Sequence, residues 1–284
     1  MKLVFLGTSG GMPTKDRGLP SIALIYGGVH LFDIGEGTQR QMMIYGVRYG
    51  AVKNIFISHM HPDHYLGLFG LLQTYKMMSR KETLHIYSPI ELAFPEFVEW
   101  HPLKEGVLMQ HRLFTVSAFR VRHSKDSHGF LVETGWRWRF NKERAKNAGI
   151  RGRAFKELER RGRVIVAGRE IHIEEVAQQV EGPKFLYTGD TVFMKKVADL
   201  AKNAVLIHDS TFSEKDREEA EKKRHATAVD AAMAAAGGPA RMLILTHFSP
   251  RYTDAQILEK EAKKIFKKTK AAYDGLEINL LSLF

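Results

Sequence analysis

The chain has 284 residues, with 43 Lys and Arg against 32 Asp and Glu for a formal charge of +11, and it contains no cysteine. That length allows one large domain or two modest ones with a full hydrophobic core. No apolar run approaches the ~20 residues that span a bilayer, so no membrane partner is expected. The lack of cysteine excludes disulfides and thiolate metal sites and fits a reducing, cytoplasmic setting, so any metal must be held by His, Asp or Glu.

Lys2–Leu6 reads as a first strand, and the Gly-Thr-Ser-Gly-Gly that follows ends it too soon for a signal-peptide core. Ile22–Tyr26 and Val29–Asp33 read as a hairpin across Gly27 and Gly28. Thr38 is expected to cap a helix running to about Tyr45. Asn54–Ile57 is a buried strand that leads into His59, His61, Asp63 and His64, and the spacing of apolar residues predicts a helix over Tyr65–Met78. Leu84–Tyr87, Phe114–Arg122 and Gly129–Glu133 read as further strands.

The composition changes from about residue 137 to residue 182. Between Arg137 and Arg169 twelve Lys or Arg stand against three Glu, a local surplus of +9 that matches the electrostatic footprint of a polyanion partner. Val164–Val166 and Glu170–Ile173 form a small hairpin in this reading, and the low apolar content marks residues 137–182 as an arm inserted into a single domain of 1–284 rather than a domain of its own. Strand and helix then resume. Phe185–Tyr187, Val205–His208 and Met242–Leu245 are short apolar strands, each ending at once in polar residues, while Ala226–Ala236 and Ala255–Phe266 read as helices. The class is therefore α/β (α+β) with mixed sheets, and the two halves, each delivering polar residues at strand ends, point to two similar sheets facing one another.

The histidine loop carries most of the chemistry. His59 and His61 are two apart and can face one ion, whereas Asp63 and His64 more naturally reach a second. Imidazole suits zinc, a carboxylate suits a hard or borderline cation, and the same ligands also accept manganese, iron or cobalt. Further ligands are sought among the polar residues that end apolar strands, namely His123, Asp190, Asp209 and His247, with His208 open to either a structural or a functional role.

This pattern resembles the metallo-β-lactamase superfamily, and within it the ribonuclease Z (tRNase Z) family. The resemblance rests on Phe5 to Gly11, on Phe32 to Gln41, on Tyr187 to Thr191, on His208 to Phe212, on His225 to Thr227 and on Leu245 to Tyr252. It implies a four-layered αβ/βα sandwich with the metals at one edge between two sheets. It implies two zinc ions per subunit, one held by His59, His61 and His123 and the other by Asp63, His64 and His247, with Asp190 bridging. The implied reaction is endonucleolytic removal of the 3′ trailer from precursor tRNA by metal-activated water, leaving a 3′ hydroxyl. Asp63 would orient or deprotonate the nucleophile, or serve as a ligand only. His225, oriented by Asp209, would protonate the departing oxygen or contact the phosphate, and Arg251 would hold a flanking phosphate.

The resemblance further implies that the arm grips the tRNA body, often across a homodimer, which makes Arg151, Arg153, Lys156, Arg160 and Arg161 candidate contacts. Two departures stand out: Asp209 occupies a position where the family often has Glu, and Arg153 stands where a Gly-Pro-rich patch would place Pro. The alternatives are a hydrolase of the same fold acting on a small phosphodiester, an arylsulfate or a thioester, and a non-catalytic RNA-binding protein.

Overall fold

A computed structural model describes residues 1–284. Two compact units emerge: Met1–Glu133 with Pro183–Leu283, and Thr134–Gly182.

The larger unit opens with β1 (Lys2–Gly7), β2 (Ser21–Ile25) and β3 (Val29–Phe32), then α1 (Thr38–Ile44), β4 (Val52–Phe56), α2 (Pro62–Tyr65), α3 (Gly67–Met77), β5 (Leu84–Ser88), β6 (Val98–Pro102), β7 (Gly106–His111), β8 (Phe114–Arg120) and β9 (His128–Glu133). The smaller unit holds β10 (Trp136–Phe140), α4 (Lys142–Asn147), α5 (Arg153–Arg161), β11 (Arg163–Val166), β12 (Arg169–His172), α6 (Ile173–Val176) and β13 (Ala177–Glu181). The chain then completes the larger unit with β14 (Lys184–Tyr187), α7 (Lys195–Leu200), β15 (Val205–Asp209), α8 (Arg217–Lys223), α9 (Ala228–Gly237), β16 (Met242–Thr246), α10 (Gln256–Lys263), β17 (Thr269–Ala271) and β18 (Glu277–Asn279).

Two seven-stranded mixed sheets result, ordered β18-β1-β2-β3-β4-β5-β6 and β17-β16-β15-β14-β9-β8-β7. Each has a run of parallel pairs, β3 through β6 in one and β14 through β17 in the other. The sheets share an aromatic interior in which Phe32 stacks on Phe56 and meets Phe130 and Phe185. On the outer side of the first sheet Leu68, Leu71 and Tyr75 of α3 and Met42 of α1 bury against Leu31, Ile55 and Ile86. On the outer side of the second, the alanine-rich α9 packs with α7 and α10 over Leu206, Leu243 and Leu245. Helix, sheet, sheet, helix is the four-layered αβ/βα order expected from the sequence.

The smaller unit has a core of its own. Ala145, Ile150, Leu158, Val164, Ile171, Ile173 and Val176 are buried together, with Trp138, Phe140 and Phe155 packed against them. Its low apolar content is thus concentrated inward, and its helices α4 and α5 lie in a stretch whose charge hid their periodicity. The expected hairpin is present as β11 paired with β12. Over the whole unit twelve Lys or Arg stand against seven Glu, because the acidic residues gather after Arg169.

Several boundaries differ from expectation for local reasons. Thr38 does not cap α1; Gly37, in a left-handed conformation, holds that position, and the Thr38 hydroxyl donates to the Gly35 carbonyl at 2.7 Å. The helix expected over Tyr65–Met78 is two helices joined at Leu66. The one expected at Ala226 starts at Ala228 because Thr227 and Asp230 form a reciprocal cap. β6 carries Pro102 and mostly half-exposed residues, features that conceal an edge strand.

Gly67 begins α3 where a Cβ would fall 2.0 Å from the Gly35 carbonyl oxygen, so the helix approaches the loop after β3 as only glycine permits. Gly67→Ala is therefore expected to destabilise the protein by about 2–3 kcal/mol. Gly70→Ala, one turn later in open space, should stabilise it by about 0.5–1 kcal/mol through lower unfolded-chain entropy and better helix propensity. Urea unfolding midpoints that moved in the same direction for both would contradict this account.

Candidate metal centre

The parallel strands deliver the site. β3, β4, β14, β15 and β16 all end at the same edge, with Asp33, the segment Ser58–His64, Asp190 and His247 following their strands and Asp209 as the last residue of β15. Tight turns are needed there. Asp33 (φ 58°) and His247 (φ 62°) both adopt the left-handed conformation that non-glycine residues rarely take, and Gly189 (φ 58°) precedes Asp190. A Cβ on Gly10 would lie 2.6 Å from the His247 ring, so the first loop also needs glycine to let that ring reach the centre.

Four imidazoles are oriented by what holds their Nδ1 atoms. His64 Nδ1 donates to Asp33 Oδ2 at 2.8 Å. His59 Nδ1 donates to Ser58 Oγ at 3.0 Å, and that hydroxyl donates in turn to Asp33. His123 Nδ1 donates to the Arg224 carbonyl at 2.9 Å, and His247 Nδ1 donates to Thr211 Oγ1 at 2.8 Å, whose own proton goes to Asp209 Oδ1. With Nδ1 carrying the proton, each Nε2 offers a lone pair whenever its ring is neutral, and the four converge. His59 Nε2, His64 Nε2 and His123 Nε2 lie 3.6, 3.3 and 3.7 Å from Asp190 Oδ2, and His247 Nε2 lies 3.2 Å from Asp190 Oδ1. His61 Nδ1 completes the ring of nitrogens 3.1 Å from His123 Nε2. Asp63 Oδ2 accepts from the Gly11 amide at 2.8 Å and sits 3.5 Å from His247 Nε2.

Three overlapping groups of candidate ligands can be read here: His59, His61 and His123 with Asp190; Asp63 with His64 and His247; and Asp190 and His247 with Asp209 and His225. The seven residues that the family resemblance implied as ligands lie together here. The fit to cations is physical. His59 Nε2, His64 Nε2, His247 Nε2 and Asp190 Oδ1 are buried and satisfied by no hydrogen bond within the protein. At about 1–3 kcal/mol for each buried unsatisfied group, four of them would consume much of a stability of about 5–15 kcal/mol. A cation returns that loss by accepting every lone pair at once.

The electrostatics point the same way. Burial would raise the Asp190 pKa, but His247 and His64 outweigh it and hold the carboxylate well below its usual range. Burial pushes His59 down to about 2, which keeps it neutral and able to ligate. Burial alone would lower His64, yet Asp190 and Asp33 together raise it well above the ordinary imidazole value. A proton on His64 is what a cation must displace.

Asp209 and His225 stand beside the cluster. Asp209 is fully buried, and its Oδ2 accepts from His225 Nδ1 at 2.8 Å and from the Thr191 amide at 3.0 Å. Burial disfavours a charged His225, but Asp209 prevails and raises its pKa to about 9. The shorter carboxylate therefore reaches the imidazole, and through Thr211 it also steadies His247. The His225 ring lies against His123 and His247, and it lines a cleft with Met12, Phe212, Lys223, Ser249 and Arg251. Arg251 forms a bidentate ion pair with Glu219, two bonds of 2.7 Å, and lies over the Phe212 ring. His208 is buried with Nδ1 donating to the Asp209 carbonyl, apart from the cluster. Arg151, Arg153, Lys156, Arg160 and Arg161 are all exposed in the smaller unit; Arg161 pairs with Glu157, and the other four have no carboxylate partner.

Sequence reasoning assigned no role to Asp33, Ser58, Tyr187 or Thr211. Asp33 accepts from the Ser58 amide and hydroxyl, the Tyr187 hydroxyl and His64, and so ties two strands of the first sheet to one of the second. Its place at the end of an apolar strand was the available signal, the same one that singled out Asp190 and Asp209.

The metallo-beta-lactamase superfamily model matches residues 21–247. Ribonuclease Z of Archaeoglobus fulgidus is 39% identical over 298 residues, covering 98% of this chain and 97% of that one. Ribonuclease Z of Methanosarcina acetivorans is 36% identical over 302 residues, covering 99% and 98%. The crystal structure of the short form of human tRNase Z superposes with a TM-score of 0.68 at 26% identity over 99% of both chains. A metallo-beta-lactamase fold protein from Bacillus subtilis superposes with a TM-score of 0.74 at 18% identity over 98% of both, a likeness of fold. The chain belongs to the metallo-β-lactamase superfamily and, within it, to the ribonuclease Z family.

Asp33→Asn keeps the side-chain shape but turns an amide toward donors. Metal affinity, measured by competition with a chromophoric chelator, is expected to fall about 10–100-fold, as for loss of other carboxylates that orient a ligating histidine. Unchanged affinity would show that His64 needs no such support.

Proposed function

We propose that this protein is a zinc-dependent endoribonuclease that removes the 3′ trailer from precursor tRNA, with two zinc ions held by the seven-residue cluster. The observation that carries this reading is a complete, oriented ligand set in a chain 39% identical to a ribonuclease Z along nearly its full length.

The zinc ions, when bound, neutralise charge on the scissile phosphate and make a water acidic enough to attack phosphorus near neutral pH. The protein's own groups then divide the work. Asp63, held by the Gly11 amide, has its pKa pushed below the usual carboxylate range by His247 and His64 despite burial that would raise it. A carboxylate that ionised is a poor base and a good ligand, so its task is to hold and orient. His225, kept protonated by Asp209, uses its other ring nitrogen to donate to the 3′ oxygen as the phosphorus–oxygen bond breaks, which leaves the hydroxyl on the tRNA and the phosphate on the trailer. Arg251 reaches a flanking phosphate by exchanging Glu219 for it.

A pocket that reads phosphate and metal geometry does not by itself select tRNA. The smaller unit supplies exposed cations on one short helix and the loop before it, suited to the backbone of a folded duplex read by shape and charge. This reading includes a homodimer working in the cytoplasm, the former testable by sedimentation.

The primary test is cleavage of a 3′-extended tRNA transcript with and without chelator, with the product end mapped. His225→Ala should lower kcat about 100- to 10,000-fold with zinc content unchanged; full activity would remove His225 from the chemistry. The neck of the smaller unit is closed by the Gly182 amide donating to the Gly135 carbonyl at 2.7 Å, so residues 136–181 can be excised by joining these two glycines. Excision should abolish precursor cleavage and spare hydrolysis of bis(p-nitrophenyl) phosphate. Equal loss on both substrates would reject the separation of roles, and zinc binding with no RNA cleavage by the intact chain would favour a small-phosphodiester hydrolase.

A further inference from the structure

A second cluster of metal-ligating side chains lies on the first sheet, outside the catalytic cleft. His85 on β5 pairs across the strands with Glu99 on β6, and Tyr87 pairs with His101. Alternation along parallel strands puts all four on one face. His85 Nδ1 and His101 Nε2 are 3.0 Å apart, and the Glu99 carboxylate stands 3.5 Å from the first and 3.6 Å from the second.

The positions are held rather than accidental. Phe32, Phe56, Tyr87 and His101 are successive neighbours across β3, β4, β5 and β6, and their rings stack at 5.1, 4.7 and 4.5 Å with interplanar angles of 16°, 18° and 15°. His101 ends an aromatic column that begins in the inter-sheet core, so its ring plane is fixed although the residue is half-exposed. His85 has the buried Asn54 as its neighbour on β4.

The spacing is that of a cation site. Ligand atoms about 2.0–2.2 Å from a tetrahedral ion lie about 3.4 Å apart. In the main cluster the corresponding separations are 3.1 Å between His61 and His123 nitrogens and 3.6–3.7 Å from His59 and His123 to Asp190. The peripheral trio repeats these values. One carboxylate oxygen stands 3.5 Å from His85 Nδ1 and the other 3.6 Å from His101 Nε2, both beyond good hydrogen-bonding distance, and one ligand atom from each of the three residues lies within 4.8 Å of the others.

We propose that His85, Glu99 and His101 bind a further borderline divalent transition-metal ion, with zinc as the natural occupant, in a solvent-facing site that clips the edge strand β6 to β5. Two imidazoles and a carboxylate suit zinc, and open positions are left for water. The consequence is structural. β6 is an edge strand with little buried side chain, and such strands are where sheets fray or pair with foreign chains. An ion bridging it to its neighbour adds a tether that its own packing does not supply.

The test uses the full chain, stripped of metal and equilibrated with Zn2+ at fixed free concentration, with bound zinc counted by mass spectrometry. His101→Phe keeps the ring column and removes a ligand; Glu99→Gln keeps the shape and removes the charge. Both are expected to lose one zinc ion per chain relative to the unaltered protein while cleaving precursor tRNA at its rate. Zinc should also slow amide exchange over Val98–Pro102 in the unaltered chain and not in either variant. Equal zinc content in all three proteins, or exchange in β6 insensitive to zinc, would overturn the proposal and leave the trio a hydrogen-bonded surface group. Because the catalytic ligands are untouched in both variants, failure here leaves the cleavage assay free to succeed or fail independently.

Discussion

The structure turns on the proton held at Nδ1 of four histidines. Once His59, His64, His123 and His247 each give that proton to an acceptor outside the cluster, their Nε2 lone pairs must face one another and Asp190. Lone pairs crowded in a buried space repel, and those of His59, His64 and His247 meet no hydrogen-bond donor within the protein. A fold that builds this arrangement is stable to the extent that positive charge fills it. Binding of a cation and stability of the fold at this edge are therefore two views of one free energy.

The acceptors explain why so much of the larger unit is organised around the site. Asp33 collects donors from Ser58 and His64, both after β4, and from Tyr187 at the end of β14. Asp209 does the same for the second sheet, serving Thr191, Thr211 and His225. The two carboxylates occupy matching places, each at the carboxyl end of a parallel strand in one of two similar sheets. Left-handed backbone at Asp33 and His247 is the local cost of turning a strand end sharply enough to aim a side chain inward. It persists because the hydrogen bonds on both sides over-determine it.

What the sequence made legible follows from this division. Candidate ligands stood out because their chemistry is rare and their spacing within His59–His64 is tight, and the later candidates because each closes a short apolar strand. The class followed from alternating strands and helices, and the layer order from the family resemblance. Less visible were groups whose role is to orient other groups. Asp33 and Thr211 look like ordinary turn residues until the fold shows which ring nitrogen each one meets. The smaller unit was legible as charge but not as structure: a seven-residue core spread over some thirty positions leaves no periodic signal, and α5 reads as a string of cations around a single buried Leu158. Edge strands were lost for a related reason, since β6 exposes most of what it carries.

Charge and chemistry are kept in separate parts of the sequence, and physical reasons favour that. The catalytic cluster needs neutral imidazoles and ionised carboxylates in a dry setting, and free cationic side chains among them would compete with the metal for the carboxylates. Near the cleft, the cations Arg251 and Lys223 are both tied to Glu219. In the smaller unit the carboxylates cluster after Arg169, where Glu170 pairs with Arg163 and Glu175 with Arg169. Arg151, Arg153, Lys156 and Arg160, which precede them, are left without an anionic partner of their own. Arg153 adds to that unpaired group at the first turn of α5. A polyanion therefore finds uncompensated charge in the smaller unit, and an affinity that rests on such charge falls as salt rises.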